Sequence, residues 1–314
     1  MSTAAGADLN AILSTQQKLV AARDSSKLPR DEVPLEDVAV AKRQLLEWAE
    51  ARLQSFDRNV ELRNLAKKLT SELNGVIKPG PDDDLDRLGD LAVSFSRPDG
   101  EPDWLQMDTD VGIPYGADRS VYLYEWRANR WYRRFSSEAN DYRRSQYGPE
   151  GFVELRVSPP DSHGARLILT TGSPPFCMSV WHTLYIRLFR LDTVQSLLLE
   201  ETPLANLGQE PAYSARLEPG GALVEFFGFS IDSGIMVRKH ILHYKLDRGT
   251  VERIPPVALS VRDFVDEWLT RPWTEVAKWS DSDLETWHKK LHKDIVSGEF
   301  DTVRRCAKPG ESQV

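Results

Sequence analysis

The feature that most constrains this chain is a double change in the spacing of its apolar residues, helical at both ends and strand-like between them. From Ala7 to Val76 they follow a helical period, most clearly at Leu45, Ala49, Leu53, Phe56 and Val60, then at Leu62, Leu65, Leu69, Leu73 and Val76. That is the pattern of an amphipathic helix with one face to bury. Pro29 and Pro34 interrupt it, since proline has no N–H to give to a helix. The spacing predicts a first helix over 8–23, a loop, and a longer helix or pair of helices over 35–75, broken at Asp57-Arg58-Asn59. Pro79-Gly80-Pro81 and the acidic run Asp82, Asp83, Asp84, Asp86 cannot continue a helix and read as a solvated linker.

From Leu91 to Pro256 the period is two, in short runs rich in Val, Leu, Tyr, Phe and Trp divided by Gly and Pro turns, which is strand composition. Candidate strands are 91–96, 103–108, 121–126, 131–135, 152–158, 165–171, 184–192, 195–200, 213–217, 222–230, 240–247 and 250–254. A pattern recurs at Tyr124-Glu125-Trp126-Arg127, Phe189-Arg190-Leu191-Asp192 and Tyr244-Lys245-Leu246-Asp247, spaced 65 and 55 residues apart. In each, two large apolar side chains sit two positions apart, hence on one strand face, and a short strand follows within a few residues. The spacing fits about three four-stranded propeller-like sheets; a β-sandwich with similar hairpins is the alternative.

After Pro255-Pro256 the helical period returns, with Val261, Phe264, Val265, Trp268 and Leu269 on one face. Ser260 is the expected N-cap and Asp263 the residue that completes a capping interaction. Pro272 ends that helix, and a second starts at 280–283 and runs to Val296. The expected class is therefore α+β, mainly β: a helical arm (1–78), an acidic linker (79–90), an antiparallel β body (91–256), C-terminal helices packed on it (257–300) and a tail (301–314).

Composition narrows function by exclusion. A net charge of −8 runs opposite to the basic surface that neutralises phosphates, so no nucleic-acid partner is expected. No apolar run reaches the length of a membrane span. Cys177 and Cys306 are the only cysteines, without the spacing of a zinc or redox site. They read as free thiols. The start Met1-Ser2-Thr3-Ala4-Ala5-Gly6-Ala7 lacks a basic, apolar leader, so the chain as it stands reads as cytoplasmic; Ala5-Gly6-Ala7 has the form of a cleavage remnant, which would make it exported.

Several constellations have both a structural and a chemical reading. Asp108-Thr109-Asp110-Val111-Gly112, with Asp118 close behind, offers two carboxylates that could chelate calcium, the one cofactor the sequence suggests. It lacks the distal glutamate of a calcium loop, and an Asx-type turn between strands is the expected structure. Arg130, Trp131, Tyr132, Arg133, Arg134 and Phe135, then Tyr142, Arg143, Arg144 and Tyr147, would suit stacking on bases, yet strand alternation explains them with aromatics inward and arginines outward. Trp268, Trp273, Trp279 and Trp287 would suit a platform for a sugar or peptide, or anchors that dock the C-terminal helices. His288 and His292 lie one helical turn apart, but without the glutamate or third ligand of a zinc helix.

There is no GxSxG, SxxK or glycine-rich phosphate loop. Two functions fit this inventory. The first is a binding or interaction module taking a protein or a small polar ligand, with Trp268, Trp273, Trp279, Trp287, Trp131 and Arg133 as candidate contacts. Its leucine stripe either packs on its own body or forms a homodimer. The second is a hydrolase using paired carboxylates from Asp108, Asp110, Asp192, Asp232 and Asp247 in a cleft of the β body.

Overall fold

The computed structural model describes residues 8–24, 34–74, 87–98, 102–113, 116–138, 152–161, 163–173, 180–205, 212–231, 236–247 and 249–296. The tail 301–314, Cys177, Cys306, Asp232, the acidic run 82–86 and the stretch containing Tyr142, Arg143, Arg144 and Tyr147 lie outside them.

The class is α+β, mainly β. Among the described residues three helices come first: α1 (Leu9–Asp24), α2 (Leu35–Leu53) and α3 (Leu62–Asn74). Twelve strands follow, from β1 (Leu91–Ser96), β2 (Trp104–Ile113), β3 (Gly116–Arg127) and β4 (Arg130–Ser137) through β5 (Phe152–Val157), β6 (Leu167–Ser173), β7 (Trp181–Arg190) and β8 (Gln195–Ala205). The last four are β9 (Tyr213–Glu218), β10 (Gly221–Phe229), β11 (Val237–Asp247) and β12 (Thr250–Arg253). They form three open four-stranded sheets in sequential order, β1 to β4, β5 to β8 and β9 to β12. Helices α4 (Val261–Thr270), α5 (Trp273–Val276) and α6 (Glu285–Val296) close the described chain. No described helix is long and apolar enough to cross a membrane.

The three recurring sequence patterns occupy one place in each sheet, the end of the third strand, and lead into the hairpin to the fourth. In the first hairpin Ala128 and Asn129 both have positive φ, at 48° and 60°, which is the turn whose twist matches its strands. In the last, Gly249 takes the left-handed position at 88°. The register slips by a residue between Leu123 and Tyr124 and between Leu188 and Phe189, so in two sheets a bulge falls at the aromatic that opens the pattern.

By its contacts the chain divides into two compact units, the first Met1–Val157 with Thr170–Met178, the second Ser158–Leu169 with Ser179–Val314. In the first unit the helices cover one face of the first sheet. Ile12, Leu45, Trp48, Ala49, Leu53, Leu65, Leu69 and Leu73 form one core with Val93, Leu105, Met107, Tyr122, Tyr124 and Trp131. The leucine stripe is thus buried on the chain's own sheet. Polar locks hold the helices in place: Lys42 on α2 meets both oxygens of Asp118 on β3 at 3.0 Å with both groups buried, and the Tyr124 hydroxyl donates to Glu50 at 2.9 Å.

In the second unit Leu167, Leu169, Leu184, Ile186, Leu188 and Leu204 pack with Ala222, Val224, Phe226, Leu242 and Tyr244. Gly221 opens β10 where a Cβ would lie 2.0 Å from the Tyr244 carbonyl, so only glycine permits that approach. Ser260 caps α4 as expected, accepting from the Asp263 N–H at 3.2 Å and donating to its carboxylate at 2.8 Å.

One expectation is overturned. The Asp108–Gly112 segment is no turn but the centre of β2, which continues to Ile113 and is paired residue by residue with β1 and β3. Its alternate residues Leu105, Met107 and Val111 enter the cores, and that burial holds it extended despite its polar content. On α4 the apolar stripe is divided, with Phe264, Trp268 and Leu269 half-buried and Val261 and Val265 exposed. The buried residues of the helix are Asp266 and Glu267, while Val261 is 83% exposed and Val265 48%.

Candidate functional site

The inverted setting of α4 follows from what the third sheet presents to it. Along β11, Arg238 and His240 share a strand face with Leu242 and Tyr244, and Arg253 on β12 lies opposite Tyr244 in register. That face is apolar at one end and cationic at the other. Glu267 answers the cationic end. Its Oε1 accepts from Arg238 Nη2 at 2.7 Å and from His240 Nδ1 at 2.8 Å; its Oε2 accepts from Arg253 Nη1 at 2.7 Å and Arg271 Nε at 3.3 Å. Asp266 adds a bond from Arg238 Nε at 2.7 Å, and Glu275 one from Arg253 Nη1 at 2.9 Å. Glu200 on β8 joins the network, bonded to Arg271 and to the Tyr244 hydroxyl.

Burial by itself would raise the Glu267 carboxyl, but the His240 bond and the charges of Arg253 and Arg271 together hold it well below the usual carboxylate range. Burial pushes the Tyr244 hydroxyl far up, and the Glu200 charge adds to it. Glu267 remains an anion and Tyr244 a neutral donor. A buried carboxylate with four donors is a lock, and it fixes which side of α4 faces out.

On that outer side the C-terminal segments form an aromatic cluster. Trp268 on α4 lies edge-on to Trp273 at 6.2 Å, to His288 at 5.7 Å and to His292 at 5.5 Å. Its indole N–H donates to the Ser280 hydroxyl at 3.0 Å. His292 is buried and bonded through Nε2 to the Arg271 carbonyl at 2.8 Å. Trp279 packs over the Arg253 guanidinium at 5.3 Å and against Phe264. Trp287 touches His288 at 5.4 Å yet is 60% exposed. Of ten large exposed hydrophobic residues among those described, five (Leu259, Val261, Val265, Leu284 and Trp287) fall in this short stretch.

Trp131 and Arg133 belong to the first unit. The Trp131 indole donates to the Phe56 carbonyl at 3.1 Å, its ring packs edge-on to Trp126, and Gln54 grips its backbone at both ends. Arg133 pairs with Glu50 at 3.4 Å. Both therefore tie β4 to α2 and the turn after it.

Asp108 and Asp110 lie two apart on β2, on the sheet face away from the helices. Asp118 is on the helix-facing side with Lys42. Asp110 takes a two-pronged bond from Arg119, at 2.7 and 2.8 Å. Asp108 accepts from the Gln106 amide at 2.8 Å, and burial pushes it up to about 6 against the opposing pull of Gln106 and Arg119. Asp192 is exposed and paired with Arg190, and Asp247 is exposed in the last hairpin. Among the described residues no group of three His, Cys, Asp or Glu side chains is gathered as a metal would require.

The raised carboxyl gives a first prediction. Folded Asp108 holds its proton up to about pH 6, while an unfolded aspartate releases it near about pH 3.9. Wild-type stability therefore falls as pH rises through that window. Asp108→Asn, which keeps an acceptor for Gln106, is expected to stabilise the first unit at about pH 7.5 by on the order of 2 kcal/mol and to be neutral near about pH 4. Urea unfolding of both proteins at the two pH values checks this, and equal effects at both would sink it.

Sequence reasoning found the tryptophans but missed the Glu267 network. A signal was present: Arg238 and His240 alternate in phase with the inward residues Leu242 and Tyr244, and charge at inward strand positions demands a buried partner. No protein-family model matches this chain, and no curated protein matches its sequence.

Proposed function

We propose that this protein is an interaction module whose C-terminal helical layer docks a protein partner through an outward apolar face. The observation that carries this reading is the inversion of α4, with Asp266 and Glu267 buried and Val261 and Val265 in solvent. A surface helix ordinarily buries its apolar stripe because that burial is what stabilises it. Here ion pairs hold the buried side of the helix, and of the stripe Val261 and Val265 are left exposed while Phe264 and Trp268 pack against neighbouring aromatic rings. Trp287 adds a large exposed ring on α6, joined through His288 to Trp268, and tryptophan is the residue type that most often anchors a protein interface. The exposed side chains are apolar, which favours a protein partner over a small polar ligand.

The reading is tested by panning a display library of amphipathic helical peptides on the whole protein. Peptides that enrich should bind Val265→Lys and Trp287→Ala variants at least roughly tenfold more weakly, as loss of an interface anchor implies. The variants themselves should keep their folding stability within about 0.5 kcal/mol, as surface substitutions do. Binding indifferent to both changes would refute the docking face.

A second reading, a carboxylate-dependent hydrolase, is favoured by one observation. Asp108, raised to about 6, stands two residues from Asp110, which is ion-paired to Arg119, and environments that separate two carboxyl groups suit acid and base roles. Hydrolysis of an ester or glycoside panel abolished by Asp108→Asn would support it. We also infer that each four-stranded sheet is built as a propeller blade is built, an inference supported by the thrice-repeated meander order.

A further inference from the structure

β11 carries two histidines whose rings each sit between two acceptors. His240 Nδ1 lies 2.8 Å from Glu267 Oε1 on α4, and its Nε2 lies 2.9 Å from the Phe229 carbonyl at the end of β10. His243 Nδ1 lies 3.0 Å from the Pro255 carbonyl, on the segment leading into α4, and its Nε2 lies 2.9 Å from Glu218 Oε2 on β9. A neutral imidazole has one N–H to donate and an imidazolium has two. None of the four partners can supply the missing proton. Two are backbone carbonyls, Glu267 is kept anionic by its guanidinium neighbours, and Glu218 is paired with Arg216 at 3.2 Å. All four bonds therefore exist only when each ring carries two protons.

Charged groups surround both rings. Near His240 the carboxylates of Glu267 and Asp266 on α4, Glu275 on α5 and Glu200 on β8 face the guanidinium groups of Arg238, Arg253 and Arg271. With the Lys278 ammonium, four cations face these four carboxylates. Tyr244 bonds Glu200, Lys278 is held by the Arg253 carbonyl, and Lys239 is paired with Glu225 on β10. The Phe226 ring stacks on His240 at 5.0 Å. Near His243 the charged neighbours are Glu218 and Arg216 on β9, Lys245 two positions along β11, and Glu252 opposite Lys245 on β12.

We propose that His240 and His243 form a paired proton switch that clamps the segment from Pro255 to Glu267 onto the third sheet while both rings carry two protons and loosens it when they give one up. A ring that loses a proton must give up one of its two bonds, and the carbonyl is the weaker acceptor: His243 then releases Pro255, and His240 gives up Phe229 and the positive charge it holds against Glu267. Because the clamped form binds protons that the loosened form releases, linkage makes acid favour clamping and rising pH favour release. The switch thereby sets how firmly α4 is presented. That regulatory sense rests on the docking reading above, whereas the protonation itself does not.

The test uses the whole protein with no partner, so its failure is distinct from a failure of peptide binding. Long-range proton–nitrogen spectra of histidine-labelled protein report the protons on each ring, and hydrogen exchange reports α4, both followed from about pH 5.5 to 8. Expected are two protonated nitrogens on both rings at the acid end. Protection of α4, corrected for base-catalysed exchange, should fall roughly tenfold or more for each bond released. His243→Gln, at a half-buried position, removes its share of that pH dependence, and the double variant with His240→Gln is flat. A neutral ring at the acid end overturns the proposal, as does α4 protection in the wild type that does not change with pH. Should His240→Gln fail to fold, the spectra and His243→Gln decide the matter alone.

Discussion

Glu267→Gln is expected to destabilise the second unit by about 3 to 5 kcal/mol, the range for removing one partner of a buried ion pair. The substitution preserves the shape of the side chain and removes its charge. Arg238, Arg253 and Arg271 would then keep guanidinium groups inside the protein with their shared anion gone, and the new amide nitrogen would point a donor at donors. The cost should depend on pH in a defined way. The folded carboxyl is held well below its ordinary range, so its contribution is complete above the unfolded glutamate value of about 4.3 and is lost only as pH falls through the folded value. The penalty should thus be present at about pH 5 and shrink in stronger acid. Denaturant unfolding across that range measures it, and exchange of the α4 amides locates it. A loss below about 1 kcal/mol, the size of an exposed pair, would mean that the network is better hydrated than its burial implies.

Acid therefore threatens this attachment through Glu267, and under the proposed switch base loosens it through His240 and His243. The two titrations bracket a window in which the charge network adds to the aromatic packing of Phe264, Trp268 and Trp279 in holding the C-terminal helices. An apolar attachment would have no such window, since burial of hydrocarbon has no proton to lose.

How much of this was legible in the sequence follows from the range of the interactions involved. Strands and helices were legible because their signal is local: alternation at Leu105, Met107 and Val111 or at Leu242 and Tyr244 needs only the pleat, and Ser260 with Asp263 needs only one helical turn. The turn expected at Asp108–Gly112 was wrong because local turn chemistry competes with cross-strand pairing, and pairing with β1 and β3 prevailed. The inversion of α4 was not legible at all. Its stripe at Val261, Phe264, Val265 and Trp268 has the ordinary helical spacing, and only partners far along the chain, Arg238 and Arg253, determine that the opposite side is buried. The same holds for Asp110, whose partner Arg119 lies across the hairpin.

Trp48→Ala should cost about 3 to 5 kcal/mol in the first unit, for a reason opposite to that at Glu267: loss of packing rather than of charge. Trp48 is fully buried on α2, where it joins Leu45, Ala49 and Leu53 from its own helix to Met107, Tyr122 and Tyr124 of the first sheet in one core. The Arg52 guanidinium lies 5.2 Å from its ring centre. Truncation removes one of the two tryptophans of that core and leaves a cavity that a helix tied to the sheet by Lys42 and Asp118 cannot close by sliding. The indole N–H has no hydrogen-bond partner among the described residues, so Trp48→Phe gives up area but no bond seen there, and should cost clearly less than alanine. The ordering alanine worse than phenylalanine worse than wild type, with exchange protection lost in β2 and β3, is the expected result. Equal costs for the two variants would show that a polar contact of the indole, and not its volume, is what holds α2 on the sheet.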